Sequence, residues 1–317
     1  MSATLLSSLP FEEFVSLMQS IDTILTDCDG VLWLENFVID GSPETIDLLR
    51  KMGKKVYFVT NNSTKNRNEF LGKLEKMGFT ASQDEALCTS YLTACYFQEI
   101  GFKGKAYVIG EKGLCEELQK VGITHPEIGP DVVNTGLVDL VGGFKKDPEI
   151  RAVVIGFDLH YNFVKMLKAC SYLKDPNCIF IATNTDERFP MNTENVVPGT
   201  GCIVAAVEKC AGRNAVKIGK PNDFLREVLI KHHNVDPKRT LMIGDRGNTD
   251  ILLGTRCGFK TLLVLTGVTS LEEVHEWQKS DDPEVRKWVP DYYLDRLKDL
   301  SGLLNKCICS TPDSTSK

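Results

Sequence analysis

Residues 23–33 read TILTDCDGVLW, and the fold turns on this stretch. A short β-rich apolar run delivers two acidic residues, Asp27 and Asp29, separated by Cys28. Side chains alternate along an extended chain, so both carboxylates fall on one side and Cys28 on the other. Gly30 then allows a sharp turn. Other runs share this pattern: KVYFVT ends at Thr60, AVKIG at Gly219, LMIGD at Asp245 and TLLVLTG at Gly267. Helical patterns fill the gaps. One carries Pro43 at a first helical position and runs on to a glycine stop at Gly53. Short buried-type strands alternating with helices indicate an α/β fold built on a parallel sheet.

The chain has 317 residues, enough for two domains or for one domain holding a large insertion. The strand–helix alternation restarts between about Ala94 and Gly201, with AYVIG from Ala106, GLVDLVGG from Gly136, AVVIGF from Ala152 and CIFIATN from Cys178. A second α/β unit inserted into the first is therefore expected. The divisions are 1–93 and 206–306 for the outer unit, 94–205 for the insertion and 307–317 for a disordered tail. With 42% hydrophobic and 25% charged residues, the composition excludes disorder and disulfide mini-scaffolds. A net charge of −6 is the wrong sign for a nucleic-acid binder. No apolar run reaches the roughly 18 to 20 residues that span a bilayer, so no membrane partner is expected. Near the start, Phe11, Phe14, Val15 and Met18 recur at helical spacing beside Glu12 and Glu13, which reads as a surface helix rather than an export signal. Eleven scattered cysteines without zinc-ligand spacing read as reduced thiols of a cytoplasmic protein, Cys307 and Cys309 among them as exposed thiols at the start of the tail.

Four places on these strands carry candidate chemistry. Asp27 and Asp29 can divide labour, one attacking or binding metal and the other exchanging a proton, although acidic residues at strand ends also serve as plain turn formers. Thr60, Asn61 and Asn62 offer hydroxyl and amide donors for a phosphoryl oxygen, or a hydrogen-bonded turn. Lys220 follows AVKIG and places an ammonium at a strand end, or simply on the surface. GDRGNTDI, residues 244–251, supplies Asp245 and Asp250 in the form a hard divalent cation requires. If these strands are parallel, their carboxyl ends meet at one sheet edge, where ligands bind in open α/β folds.

DCDGVLW, TNN, GKP and GDRGNTDI, in this order, resemble the four motifs of haloacid dehalogenase (HAD) superfamily phosphatases. The insertion resembles the large α/β cap of the group that includes para-nitrophenylphosphatases, pyridoxal phosphatases and phosphoglycolate phosphatases. The resemblance implies a Rossmann-like parallel-sheet core with an inserted α/β cap domain. It implies that Asp27 attacks phosphorus to give an aspartyl-phosphate, while Asp29 protonates the leaving alkoxide and later activates water. It implies Mg2+ held by Asp27, the Asp29 backbone carbonyl and Asp245, with Thr60, Asn61, Asn62 and Lys220 on the substrate and Asp250 in support. Relatives commonly carry leucine and aspartate where this chain has Gly247 and Asn248, which puts metal affinity in question.

The segments GFDLHYNF, TNTDERFP and VPGTGCIVAAVE are similar to the phosphoglycolate phosphatase branch, which also acts on glycerol 3-phosphate. Pyridoxal phosphatases carry a histidine where this chain has Phe189, so a small non-aromatic ester is expected, 2-phosphoglycolate or glycerol 3-phosphate. Pyridoxal phosphate, phosphotyrosine and a catalytically silent metal-binding protein are the alternatives. Arg188 and His160 are left outside the catalytic set. Relatives dimerise through the cap, so a homodimer is the expected partnership.

Overall fold

The computed structural model describes residues 2–189 and 194–310. In chain order the strands are β1 (Thr4–Leu5), β2 (Thr23–Thr26), β3 (Trp33–Leu34), β4 (Phe37–Val38), β5 (Lys55–Thr60), β6 (Ala86–Cys88), β7 (Lys105–Ile109), β8 (Ile150–Ile155), β9 (Ile179–Ala182), β10 (Val216–Lys217), β11 (Thr240–Gly244), β12 (Lys260–Val264) and β13 (Tyr292–Leu294). Seven of them form one parallel sheet in the order β1-β13-β12-β11-β2-β5-β6. Four form a second parallel sheet in the order β10-β9-β8-β7. β3 and β4 make a small antiparallel hairpin.

β2 lies between β11 and β5, with Thr26 opposite both Ile243 and Phe58. This register sets the ends of the three strands side by side. Along β2 and β5 the side chains alternate between two apolar clusters: Ile24, Val56 and Phe58 enter one, Leu25, Tyr57 and Val59 the other. Both faces are covered, which explains why these strands read as continuous apolar runs. The first cluster is closed by helices Phe11–Ser20, Ser42–Lys51, Arg67–Lys76 and Ser301–Ser310. The second also contains Ala106, Val108, Ala152, Val154 and Ile181 of the second sheet, with helices Thr89–Glu99 and Phe224–His233. The two sheets therefore share one apolar layer. The other face of the second sheet packs on helices Phe163–Leu173 and Thr200–Ala211.

Four expectations change. AVKIG supplies β10, which pairs with β9 and so belongs to the second sheet. The division at 94 falls inside helix Thr89–Glu99, which packs in the shared apolar layer, and the division at 205 falls inside helix Thr200–Ala211, which packs on the other face of the second sheet. GLVDLVGG forms the exposed helix Leu137–Gly143 rather than a strand. Its apolar residues Leu137, Val138, Leu140 and Val141 follow helical spacing, and β8 pairs directly with β7, leaving no place between them. Finally, Cys307 is buried in the last helix, in the cluster with Phe14 and Leu304, so residues 307–310 are not tail. Residues 311–317 lie outside the described residues. Among the described residues no disulfide joins the cysteines, and Cys309 is exposed. Among the described residues no helix is long and apolar enough to cross a membrane.

Candidate active site

A cavity of about 70 Å³ opens where the carboxyl ends of the two sheets converge. Asp27 follows β2, Thr60 ends β5 and Asp245 follows β11, and all three line it. Oxygens of Asp27, Asp245 and Asp250 lie within 4.8 Å of one another. The buried Lys220 ammonium answers two of them, 2.7 Å from Asp27 Oδ1 and 2.8 Å from Asp250 Oδ1. Burial opposes the charge of Lys220, but Asp250 and Asp27 outweigh it and hold the lysine protonated. Burial pushes the Asp27 carboxyl up, with Lys220 opposing. Burial and the neighbouring Asp250 push Asp245 up to about 7.

Glycines let these carboxylates crowd together. Gly30 adopts φ +87°, and a Cβ there would lie 2.5 Å from Asp245 Oδ2. The same Oδ2 accepts from the Val268 amide at 2.8 Å, while among the described residues no donor reaches Oδ1. Three clustered carboxylates, two paired with Lys220 and the third under the charge of Arg246, offer the hard oxygen ligands that suit magnesium. Asp250 does not line the cavity; its Oδ2 accepts from the Arg246 amide at 3.2 Å and its Oδ1 braces Lys220.

The second sheet closes the other side. β8 leads to Phe157, β9 to Asn184, Asp186, Arg188 and Phe189, and β10 to Lys220. The rings of Phe157 and Phe189 pack at 5.1 Å and form the apolar wall. Asn61 joins the two edges: its amide donates to Asp186 Oδ1 at 2.9 Å and to the Lys220 carbonyl at 3.1 Å, and its Oδ1 accepts from the Lys220 amide at 2.9 Å. Gly219 permits this approach, since a Cβ there would meet Asn61 Oδ1 at 2.5 Å. Burial pushes the Asp186 carboxyl up, and the Asn61 hydrogen bond and the charge of Arg246 pull it part of the way back.

The structure thus gathers Asp27, Asp29, Thr60, Asn61, Asn62, Lys220 and Asp245 around one cavity. Asn61 departs from the expected role, because both N–H groups of its side chain are spent on the clasp and none is left for a phosphoryl oxygen. Thr60 Oγ1 accepts from the Asn62 amide at 3.1 Å and keeps its own proton to donate. Asn62 Oδ1 is taken by Thr64, from its amide at 2.8 Å and its hydroxyl at 2.7 Å. Lys220 arrives from the second sheet rather than the first. Asn248 is exposed and does not line the cavity. The sequence reading missed Asp186, Phe157, Arg246 and Thr249. A signal for Asp186 was present: β5 and β9 both run out into Thr-Asn, at Thr60-Asn61 and Thr183-Asn184. These ends meet, the Asn184 amide donating to the Asn61 carbonyl at 2.8 Å.

Parallel strands that gather a lysine-paired aspartate, a second aspartate two residues on and a carboxylate loop at one cavity define an α/β phosphatase. The chain belongs to the haloacid dehalogenase-like hydrolases: the family model of that description matches residues 24–124, and a HAD-hydrolase-like model matches residues 217–300. It is 43% identical over 293 residues to the glycerol-3-phosphate phosphatase of Rattus norvegicus, covering 90% of this chain and 91% of that protein. It is 38% identical over 283 residues to chronophin of Mus musculus, covering 87% and 91%. Among solved structures it superposes on a p-nitrophenyl phosphatase from Archaeoglobus fulgidus with a TM-score of 0.74 and 30% identity, covering 89% of this chain and 98% of that one.

Proposed function

We propose that this chain is a magnesium-dependent phosphomonoesterase acting on small esters, glycerol 3-phosphate and 2-phosphoglycolate foremost, through an aspartyl-phosphate on Asp27. The observation that carries this reading is the size and lining of the cavity. At about 70 Å³ the cavity is small, and Phe157 and Phe189 close its far side. That suits a two- or three-carbon leaving group better than a substituted pyridine or phenol ring. The glycerol-3-phosphate phosphatase relatives favour the same substrate.

Asp27 Oδ1 is held by Lys220, which leaves Oδ2 to attack phosphorus. The new bond joins Asp27 Oδ2 to phosphorus as the ester P–O bond breaks, and Asp29 gives its proton to the departing alkoxide. Asp29 then takes a proton from water, whose oxygen attacks phosphorus, and Asp27 and phosphate are regenerated. The Lys220 ammonium and the Thr60 hydroxyl hold the transferring oxygens. The Asp27 and Asp245 carboxylates and the Asp29 carbonyl would hold magnesium, which would supply the charge that lets an anionic nucleophile approach an anionic phosphate.

Phosphate release should be measured with magnesium from glycerol 3-phosphate, 2-phosphoglycolate, pyridoxal phosphate and phosphotyrosine. Glycerol 3-phosphate and 2-phosphoglycolate are expected to lead, and Asp27→Asn to lose at least about a thousandfold. No magnesium-dependent release from any ester would sink the reading in favour of a silent metal-binding protein. Preference for pyridoxal phosphate would overturn the substrate alone. We further propose a cytoplasmic homodimer joined through the inserted unit. Exposed Val132, Leu137, Val138 and Val141 support the dimer, and the free thiols support the compartment. A monomer in sedimentation at micromolar concentration would refute the assembly.

A further inference from the structure

Asp29, the proton donor and acceptor of the proposed mechanism, is held quite differently from Asp27. The chain doubles back after it: the Leu32 amide donates to the Cys28 carbonyl at 2.8 Å, and the Gly30 amide to the Trp33 carbonyl at 2.8 Å. The turn brings Trp33 alongside Asp29. Trp33 is only 1% exposed, and its ring is fixed edge-on by Phe79 at 5.9 Å. Its Nε1 donates to Asp29 Oδ1 at 2.9 Å. Lys73, on helix Arg67–Lys76, places its ammonium 3.6 Å from the same oxygen and 4.5 Å from the centroid of the Trp33 ring. Contact with the ring face steadies the cation there.

Both groups on Oδ1 are pure donors. An indole N–H and an ammonium have no lone pair to receive a proton, so a carboxylic acid proton placed on Oδ1 would face two other protons. Among the described residues no protein donor reaches Oδ2. Asp29 lines the active cavity and also a smaller one behind it, whose wall includes Trp33 and Lys73. We propose that Trp33 and Lys73 are positioning residues that lock the Asp29 carboxylate through Oδ1 and confine the transferable proton to Oδ2, the oxygen turned to the leaving group. The inference rests on Asp29 being the acid–base residue of the proposed function.

The lock matters only where the leaving group needs a proton. An alkoxide must be protonated as the P–O bond breaks, whereas p-nitrophenolate departs as a stable anion. The experiment compares kcat/KM on glycerol 3-phosphate and on p-nitrophenyl phosphate for Trp33→Phe, Lys73→Met and Lys73→Arg. This ratio reports events up to the first irreversible step, so hydrolysis of the aspartyl-phosphate does not enter it. Trp33→Phe and Lys73→Met are expected to lose about tenfold to a hundredfold on the alkyl ester. On the aryl ester the loss should be under about threefold, and arginine at 73 should restore most of the alkyl rate. Lys73 is partly exposed, so its variants carry the test if Trp33→Phe folds poorly. Equal losses on both esters, or loss on neither, overturn the lock while leaving the phosphatase reading intact. An unsubstituted protein inactive on both esters overturns the phosphatase reading and the lock with it.

Discussion

The two sheets turn their carboxyl edges toward the same cavity yet contribute opposite kinds of residue. The seven-stranded sheet brings carboxylates, Asp27, Asp29 and Asp245, from strands flanked on both sides by parallel neighbours. The four-stranded sheet brings the aromatic wall, Asp186 and Arg188, all from the longer loops after β8 and β9. Reacting groups must hold position within a fraction of an ångström, and central parallel strands do this better than loops. Loops can be rebuilt for another substrate without disturbing the reacting groups. The exception is Lys220, which the second sheet lends to the first. It makes the active site the product of both units, and Asn61 fastens the loan.

Removing Lys220 is the strongest way to break this division. Lys220→Met leaves Asp27 and Asp250 buried against each other without their shared cation, so one must take up a proton or the fold must loosen. Breaking such a pair costs about 3–5 kcal/mol, and phosphate release should fall at least about a hundredfold. Lys220→Arg should not rescue it, because a planar guanidinium cannot occupy the point where one ammonium meets two carboxylates at 2.7 and 2.8 Å. Thermal unfolding together with phosphate release checks both parts. Retained activity in Lys220→Met would mean that the second sheet supplies shape alone.

Asp245 offers the next test. Its folded pKa of about 7 lies above the ordinary carboxylate value, so the folded protein keeps a proton that the unfolded chain gives up. Between about pH 4 and pH 7 the unfolded state therefore binds fewer protons, and stability falls as pH rises, by up to about 1.4 kcal/mol per pH unit for one group. The metal-free protein should melt lower at pH 7 than at pH 5. Saturating magnesium should abolish or reverse that slope, because it binds the ionised cluster. Unfolding followed with and without chelator at the two pH values decides it; a flat metal-free profile would remove Asp245 as the strained carboxylate.

Phe189 probes the other edge. Replacing it with alanine removes half of the Phe157–Phe189 pair and opens the far wall of the cavity. The ratio of kcat/KM for pyridoxal phosphate over glycerol 3-phosphate should rise about tenfold, with little change in metal dependence. A loss of magnesium dependence instead would show that the aromatic wall also shapes the acidic side.

How much of this was readable in the chain follows the same division. Asp27, Thr60 and Asp245 end apolar strands, and a parallel sheet aligns such ends by register, so strand grammar alone predicts their meeting. The sequence marks Lys220 as an ammonium at a strand end but not its sheet, because the two residues of β10 carry too little pattern to say which neighbour they pair with. Asp186 escaped because a loop carboxylate among threonine, asparagine and glutamate has no periodicity to mark it. Trp33 and Lys73 escaped for another reason. Their tie to Asp29 depends on a turn and a distant helix, and spacing in one dimension does not carry it.

The smallest effect is expected on the turn that follows Asp245. Gly247 and Asn248 stand where leucine and aspartate are common, on the turn Gly247–Ile251 that follows Asp245. The ring of Trp277 already fills the space beside Gly247: a Cβ there would lie 2.3 Å from Trp277 Cζ3. The indole has taken over the volume of the missing side chain, and it is braced by Trp288 at 5.7 Å. Gly247→Leu should therefore overpack and cost about 1–3 kcal/mol. Asn248 is exposed to solvent and does not line the cavity. A carboxylate added there acts through water and salt, where its field on the bound cation is weak. Asn248→Asp should shift the magnesium concentration for half-maximal phosphate release by less than about twofold, in the direction of tighter binding. A tenfold shift would mean that the turn swings Asn248 inward when the cation binds. The acidic edge would then owe its charge to a moving loop as well as to its rigid strands.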